Sequence, residues 1–343
     1  MTPGPTKRHL EILEILISDY IASAQPVGSR TIARQHHGHL SPATVRNIMA
    51  DLTDLGLLAQ PHVSAGRLPT ALGMRVFVET LLKRRDLSET EMHEIRRRCA
   101  GDERRMDAVL SRTSRMLAAV SRYAGMVVTP DAGRIKFRHM EFVPLSGRRL
   151  LGIFVSQDGS VQNRLIEVGE DYSYPDIERI NNYCNRSFLG LSLEDALEKA
   201  RTEHAAAREE YDRLLSGAMA LSEELLSAIP GIDLVVDGEM QLLAEPEFAK
   251  AEDFRRIVEA LEEKSSMLGL LERCRDGQGV RIFIGSEAHI EGVDSVGIVG
   301  APYLKDGKVV GAIGVIGPMR MDYSRVVPIV DFTAKVLSDV LDS

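Results

Sequence analysis

The chain has 343 residues, of which 44% are hydrophobic and 27% are charged. These proportions are typical of a globular protein and exclude a disordered, collagen-like or coiled-coil chain, and the length predicts roughly two or three domains. No apolar run approaches the roughly 20 residues of a membrane-spanning helix, and the N-terminal stretch is too charged for a signal peptide, so we expect a cytoplasmic protein with no membrane partner.

The charge is unevenly distributed along the chain. The net charge is −8, which taken alone argues against a nucleic-acid-binding protein. Residues 1–85, called the head below, contain 10 Lys and Arg against 6 Asp and Glu, whereas residues 86–343 contain 32 against 44. A basic head followed by an acidic remainder is typical of a protein that binds nucleic-acid phosphates at only one end. Random scatter of charge is the alternative interpretation.

The head has the sequence signals of several short elements. Ser41 is a good N-cap, Pro42 occupies the first helical position, Gly56 can supply a left-handed end, and Thr70 can cap a further helix. Apolar periodicity and turn residues predict helices over 7–23, 29–36, 42–55 and 71–84, with a hairpin before the last. This element order is that of a winged helix-turn-helix.

The predicted helix 42–55 has the division of residues expected of a recognition helix. One face is an apolar stripe of Val45, Ile48, Met49, Leu52 and Leu55. Away from the stripe lie Ala43, Thr44, Arg46, Asn47 and Ala50. Arg46 could bond guanine, Asn47 could bond adenine, and the Ser41 hydroxyl at the helix N-terminus suits a phosphate. The alternative is an amphipathic helix of any helical domain.

Further polar residues flank this helix and could lie against DNA. On the preceding short helix, over the duplex backbone, they are Arg30, Thr31 and Arg34. At the hairpin tip, within reach of a phosphate or the minor groove, they are His62, Ser64 and Arg67. For each of these residues taken singly, ordinary solvated polarity is the alternative interpretation.

Residues 86–123 are predicted to be a helical linker. Ser88 and Glu91 form a capping box that opens a strongly charged helix over 89–100. The helix is expected to resume after Gly101 and to run to about Arg122. Few residues in its first half suit a core, which favours the linker interpretation.

Beyond the linker the pattern predicts an α/β body. The predicted strands cover residues 125–129, 136–144, 149–156, 161–168, 232–236, 240–243, 279–285, 295–304 and 308–316, with a hairpin turn at Asp158-Gly159. The predicted helical segments cover 172–226, 252–274 and 322–341. Pairing early with late strands gives one antiparallel sheet of about six or seven strands, which is more stable than two small sheets. Two separate domains are the alternative.

Three other features favour structural interpretations. Gly311, Gly314 and Gly317 lie inside a β-like run without GK[ST], which favours close packing in a strand over a nucleotide loop. The cluster His36, His37 and His39 fits a solvated turn better than a metal site. The three cysteines, Cys99, Cys184 and Cys274, are isolated, which excludes a disulfide framework or a CxxC metal site. No GxSxG or HExxH motif or local Cys–His pair occurs, so we expect no enzyme, no cofactor and no metal.

Several stretches together resemble the HrcA family of heat-inducible transcription repressors. In chain order they are QPVGSRTIA, LSPATVRNIMADLTDLGLL, PHVSAGRLPTALGMRVFV, LLAEPEF and GAPYLKDGKVVGAIGVIGPMRMDYSRVV. The resemblance runs from about residue 6 to 340. Ser41, Thr44, Arg46 and Asn47 match the recognition-helix motif. His62, Ser64, Gly66 and Arg67 match the wing motif. The turn His36-His37-Gly38-His39 departs from the family pattern but leaves the base-reading positions in place.

The resemblance implies a fold and a function. The expected α+β multidomain fold has a winged-helix domain at 1–85, the linker at 86–123, a GAF-like α/β body with an antiparallel sheet at 124–170 and 275–343, and an inserted, mainly helical dimerising segment at 171–274. The implied function is repression of chaperone operons by a homodimer bound to double-stranded DNA at an inverted-repeat operator, with activity modulated by the GroEL chaperonin. The alternative is a ligand-sensing regulator whose body binds a small metabolite.

Overall fold

The computed structural model describes most of the chain. The described residues are 4–36, 40–62, 65–100, 106–129, 136–145, 148–157, 161–169, 171–206, 212–227, 233–249, 251–262, 265–275, 279–290 and 293–342. They form two compact units, the first from residues 1–129 with 234–343 and the second from residues 130–233. None of the helices in these ranges is long and apolar enough to cross a membrane.

The head forms the elements that its sequence predicts. They are α1 (Lys7–Ser23), α2 (Ser29–Gln35), α3 (Pro42–Asp54), β1 (Leu58–Ala59), β2 (Leu68–Pro69) and α4 (Ala71–Val76). Ser41 caps α3 by accepting from the Thr44 N–H at 3.1 Å, and Gly56 ends it with φ 74°. Thr70 caps α4 in the same way. The last helix is shorter than the predicted 71–84, because α4 passes into a π-helical turn, Phe77–Leu81, closed by a bond from the Leu82 N–H to the Phe77 carbonyl.

The remaining elements follow in chain order. They are α5 (Glu89–Cys99), α6 (Met106–Ser121), β3 (Ala124–Val128), β4 (Phe137–Leu145), β5 (Arg149–Ser156), β6 (Val161–Glu167), α7 (Tyr174–Phe188), α8 (Leu193–Ala206), α9 (Asp212–Ser227), β7 (Leu234–Asp237), α10 (Glu239–Leu242), α11 (Ala251–Glu262), α12 (Ser265–Arg275), β8 (Arg281–Ile284), β9 (Val296–Lys305), β10 (Lys308–Pro318) and α13 (Tyr323–Leu341). Short 3₁₀ turns occupy Pro246–Phe248 and Gly285–Ala288.

An antiparallel five-stranded sheet organises the first unit. Its strand order is β7-β3-β10-β9-β8. Strand β10 pairs with β3 over four residues, which places Ile313 opposite Val127. Helices α6 and α13 pack on this sheet, with α5 against both of them, and α12 contacts β9 and β10. Because β10 is buried along most of its length, the sheet is covered on both faces.

The glycines of β10 make room for neighbouring side chains, as the sequence predicts. A Cβ atom at Gly311 would lie 2.5 Å from the Tyr303 hydroxyl, and one at Gly317 would lie 2.8 Å from the Tyr123 ring. At Gly314 a Cβ would lie 3.0 Å from the Val299 carbonyl oxygen. These contacts confirm close packing in a strand.

A three-stranded antiparallel sheet, in the order β4-β5-β6, organises the second unit. Helices α7 and α9 pack against it, and α8 packs against α9. Two asparagines of α7 bond the backbone of the edge strand β4. Asn181 and Asn185 each accept from one β4 N–H group and donate to the carbonyl of the same residue, at Phe142 and Met140 respectively. These amides occupy an edge that would otherwise be open to another strand.

The prediction of one large sheet is wrong, and the hydrogen bonds explain why. Both edges of β3 are taken, one by β10 and the other by β7. The strands β4, β5 and β6 pair only with one another among the described strands. The second compact unit, 130–233, therefore includes the strands that were expected in the body and excludes residues 234–274 of the expected insertion, 171–274.

One local expectation also needs correction, and the structure adds detail to two others. Residues 240–243 are not a strand, because Gly238, with φ 86°, turns the chain into α10. The helical prediction for residues 252–274 is confirmed in the described residues, where it corresponds to two helices, α11 and α12. The expected linker 86–123 is helical but is also part of the core, with Ile95, Leu110 and Leu117 fully buried. The predicted turn at Asp158-Gly159 lies outside the described residues.

Candidate nucleic-acid interface

Helix α3 has one buried face and one exposed face. Its buried side chains belong to the same core as the apolar face of α1. On α3 they are Val45, Ile48, Met49 and Leu52; on α1 they are Ile12, Leu13, Leu16 and Ile17. The periodicity of the sequence predicts this stripe. The consequence is that the opposite face of α3 is turned away from the core.

Arg46 and Asn47 lie on the exposed face of α3. Within the described part of the chain, neither side chain has a hydrogen-bond or ion-pair partner, and both are exposed. Ser41 is exposed at the N-terminus of α3, where its hydroxyl also lies 2.9 Å from the Thr44 hydroxyl. The first turns of α3 thus present a guanidinium and an amide beside a helix N-terminus, groups that suit base edges and phosphate respectively.

The segment after α3 returns as a small hairpin held against the loop between α1 and α2. Val27 and Arg67 exchange two backbone hydrogen bonds of 2.9 Å. A side chain at Gly66 would collide with the Val27 carbonyl group, so this close approach requires glycine. The hairpin is therefore fixed to the rest of the head through its backbone.

Arg67 is tied to α3, which the sequence does not reveal. Its Nε atom donates to the Thr53 hydroxyl at 3.1 Å, and that hydroxyl donates to the Met49 carbonyl at 2.8 Å. The two terminal nitrogens of Arg67 have no partner among the described residues. The side chain can therefore hold the hairpin against α3 and still offer donors to a phosphate.

The other predicted site residues differ in how far their side chains are exposed. Arg30 and His62 are exposed, and Thr31 is half-buried. Arg34 is exposed, and its Nε atom donates to the Arg30 carbonyl at 3.4 Å. Ser64 lies outside the described residues, so the structure does not test its placement.

Two histidines connect α1 with its neighbours. The Nε2 atom of His9 lies 3.5 Å from an Asp51 carboxylate oxygen on α3. The Nε2 atom of His36 lies 3.6 Å from a Glu11 carboxylate oxygen on α1. The cluster members His37 and His39 lie outside the described residues. In the described ranges there is no group of three or more His, Cys, Asp or Glu side chains that could hold a metal ion.

Among the described residues, an ion pair and two hydrogen bonds to backbone carbonyls help to attach the head to the rest of the first unit. Arg75 on α4 forms a bidentate pair with Glu287 and donates to the Ile282 carbonyl on β8 at 2.9 Å. Arg320, after β10, pairs with Glu245 and Glu247 and donates to the Ile21 carbonyl at 3.3 Å. Both glutamates lie within the stretch LLAEPEF, and Arg320 lies within GPMRMDY. The family resemblance includes both stretches but does not show that their side chains are in contact.

Comparisons with known proteins point to one family over nearly the whole chain. The model of the HrcA protein C terminal domain matches residues 107–327. A heat-inducible transcription repressor HrcA from Geobacter sulfurreducens is 44% identical over 337 residues, which cover 98% of each chain. The chain belongs to the HrcA family. An HrcA repressor from Xanthomonas campestris pv. campestris is 41% identical, covering 98% of this chain and 96% of its own.

A solved structure shares the fold of this HrcA-family chain. It is a crystal structure described as that of a hypothetical protein, with a TM-score of 0.61 and 22% sequence identity. The match covers 98% of this chain and 97% of the other. The family relationship makes this chain a heat-inducible transcription repressor, as its sequence resemblance predicts.

Proposed function

We propose that this HrcA-family chain represses transcription by binding double-stranded DNA through the head, folded as a winged helix-turn-helix. The observation that carries the proposal is the division of α3, whose apolar face is buried while Arg46 and Asn47 are exposed without partners in the described part of the chain. A recognition helix needs this division because one face must pack on its domain while the first turns enter the major groove.

Each exposed group has a role that follows from its chemistry. Arg46 is suited to a bidentate contact with guanine and Asn47 to one with adenine. Ser41 and Arg30 suit backbone phosphates, and His62 and Ser64 suit a phosphate or the minor groove beside the hairpin. Thr44 shapes the N-terminus of α3 through its bonds to Ser41. Arg67 holds the hairpin against α3 and supplies donors to a phosphate. It therefore contributes to the affinity for DNA more than to base preference.

The operator is an inverted repeat bound by a homodimer in this proposal. The second unit carries several large apolar side chains that are exposed, among them Val161 (61%), Tyr174 (75%) and Leu189 (66%). Leu165 is also exposed and lies on the same side of β6 as Val161, because strand residues an even number apart share a side. Exposed apolar groups of this size suit a protein–protein contact, so we assign dimerisation to the second unit.

The rest of the first unit is a GAF-like body in this proposal, and the protein works in the cytoplasm. The antiparallel order β7-β3-β10-β9-β8 with helices on both faces supports the assignment. Its topology also suggests a role for the GroEL chaperonin. Strand β3 at 124–128 must pair with β10 at 313–316, and such non-local pairing forms slowly and leaves apolar strand edges exposed meanwhile. Chaperonin would then raise the active fraction of repressor.

A binding titration separates repressor from metabolite sensor. The full-length protein is mixed with fluorescent fragments of the chaperone promoters of its own genome and with a shuffled control, without any small molecule. We expect tight binding to the promoter fragments alone, weakening steeply as salt rises. Binding that appears only after adding a cell metabolite extract would favour the ligand-sensing alternative, and equal binding to the shuffled fragment would refute sequence-specific repression.

Refolding tests the chaperonin part separately. The protein is diluted from denaturant with and without GroEL and ATP, and the recovered promoter binding is measured. A larger recovery with the chaperonin is expected. Equal recovery in both arms without aggregation would remove chaperonin from the proposal and leave the DNA-binding assignment untouched.

A further inference from the structure

The guanidinium of Arg320 joins two glutamates in the rest of the first unit to the head. It donates from Nε to Glu247 at 2.5 Å and from Nη2 to Glu245 at 2.6 Å. The third nitrogen, Nη1, donates to the carbonyl of Ile21 in the last turn of α1 at 3.3 Å. All three nitrogens are therefore used, two on carboxylates and one on the head.

This cluster is shielded from water. The side chain of Arg320 is only 11% exposed, and those of Glu245 and Glu247 are 19% and 16% exposed. Although burial opposes the charged form, the hydrogen bond and the charges of the two glutamates outweigh it and raise the pKa of Arg320. Ion pairs this sheltered are less screened by salt than surface pairs, and losing one partner leaves a buried charge uncompensated.

The contact with Ile21 reaches the candidate DNA-reading helix through α1. The last carbonyls of a helix have no intrahelical partner and carry partial negative charge, so a guanidinium there is favourable. Helix α1 packs along α3 in one core and also lies next to it at the His9–Asp51 pair. A shift at the end of α1 therefore changes the direction in which α3 faces.

A second contact restrains the head through α4. Arg75 on α4 donates hydrogen bonds from two nitrogens to the Glu287 carboxylate. It also donates to the Ile282 carbonyl of β8. Glu287 also accepts from the Ile284 N–H at 3.0 Å, so the carboxylate is itself held in place. Two restraints at separate points, one on α1 and one on α4, prevent the head from rotating about either.

We propose that Arg320 is a positioning residue for operator binding, which with Arg75 fixes the orientation of the head so that two copies of the chain present α3 at one defined separation. This inference rests on the proposed function, since it concerns how a dimer meets two half-sites. Linking two heads raises affinity only when the geometry lets both engage at once. Loss of Arg320 should therefore impair the use of the second half-site more than binding to one.

The test compares DNA fragments with one half-site, the natural inverted repeat, and repeats whose spacer is lengthened or shortened by a few base pairs. The full-length variants are Arg320→Gln, Glu247→Gln and Arg75→Gln. The control is Arg115→Gln, since Arg115 donates to the carbonyl and hydroxyl of Ser111 within α6, outside the head. Thermal unfolding followed by circular dichroism identifies the variants that remain folded at the assay temperature.

We expect folded variants of the three to bind one half-site within twofold of wild type, to bind the natural repeat at least tenfold more weakly, and to discriminate less between spacers. The control should behave as wild type. A folded variant with unchanged spacer discrimination overturns the inference, as does an equal loss on one half-site and on the repeat. If wild type itself binds none of the fragments, the proposed function fails instead.

Discussion

Replacing Arg46 with alanine is expected to weaken operator binding without destabilising the fold. The Arg46 side chain is exposed on α3, and its removal breaks no hydrogen bond or ion pair in the described part of the chain. Surface changes of this kind alter the free energy of unfolding by less than about 0.5 kcal/mol. Any larger loss of function must then come from the DNA contact.

The size of that loss follows from the contact that Arg46 is placed to make. A bidentate arginine–guanine contact contributes about 1–3 kcal/mol of base discrimination. Per half-site this corresponds to an increase in Kd of about 5- to 150-fold. A dimer loses the contact twice, so binding to the inverted repeat should weaken by about 2–6 kcal/mol.

Anisotropy titrations at fixed moderate salt measure this change on the wild-type operator and on operators with single base substitutions. The matched control is Arg97→Ala, which removes the same charge from the exposed face of α5, outside the head. Arg46→Ala should lose affinity and relax base preference at one position, while the control keeps both. If Arg46→Ala binds within twofold of wild type, or if the control loses as much, the recognition-helix assignment is wrong.

Other changes test other parts of the structure. Gly66→Ala should weaken operator binding and lower the melting temperature because its Cβ meets the Val27 carbonyl, whereas Gly269→Ala, with open space around it, should do neither; equal melting curves would contradict this. Leu165→Glu should shift the protein from dimer to monomer in sedimentation, and an unchanged dimer would move the interface elsewhere. Burial raises the pKa of the three cysteine thiols to between about 11 and about 12. The folded state thus prefers the protonated thiols, so their contribution to stability is present below the ordinary thiol pKa of about 8.5 and falls as pH rises toward 11. Urea midpoints at pH 7, 9 and 10 should show this fall, and cysteine-to-alanine variants that fall equally would refute the cause.

The head was predictable from sequence because its signals are local. The N-cap at Ser41 with Pro42, the left-handed Gly56 and the apolar stripe of α3 each act within a few residues, and each appears in the structure. Local rules could not show that Arg67 bonds Thr53, since that contact depends on how the hairpin folds back onto α3.

The sheets were less predictable because strand partners are chosen at long range. The strand positions were largely right, but period-two patterns do not state which strands pair. Two features decide the outcome: β3 is enclosed by β7 and β10, and the edge of β4 is covered by the side chains of Asn181 and Asn185. Asparagine on a predicted helix gives no sign that it will cover a strand. The Arg320 cluster escaped prediction for the same reason, since its carboxylates lie more than seventy residues away along the chain.

Footprinting on the chaperone promoters of the same genome shows whether α3 of the head reads an operator. The full-length protein should protect an inverted repeat whose half-sites lie on one side of the duplex, about one helical turn or a multiple apart. The double variant Arg46→Ala, Asn47→Ala should give no protection at the same concentration. A wild-type protein that protects no such site, or a double variant that protects it as fully, would contradict this role of α3.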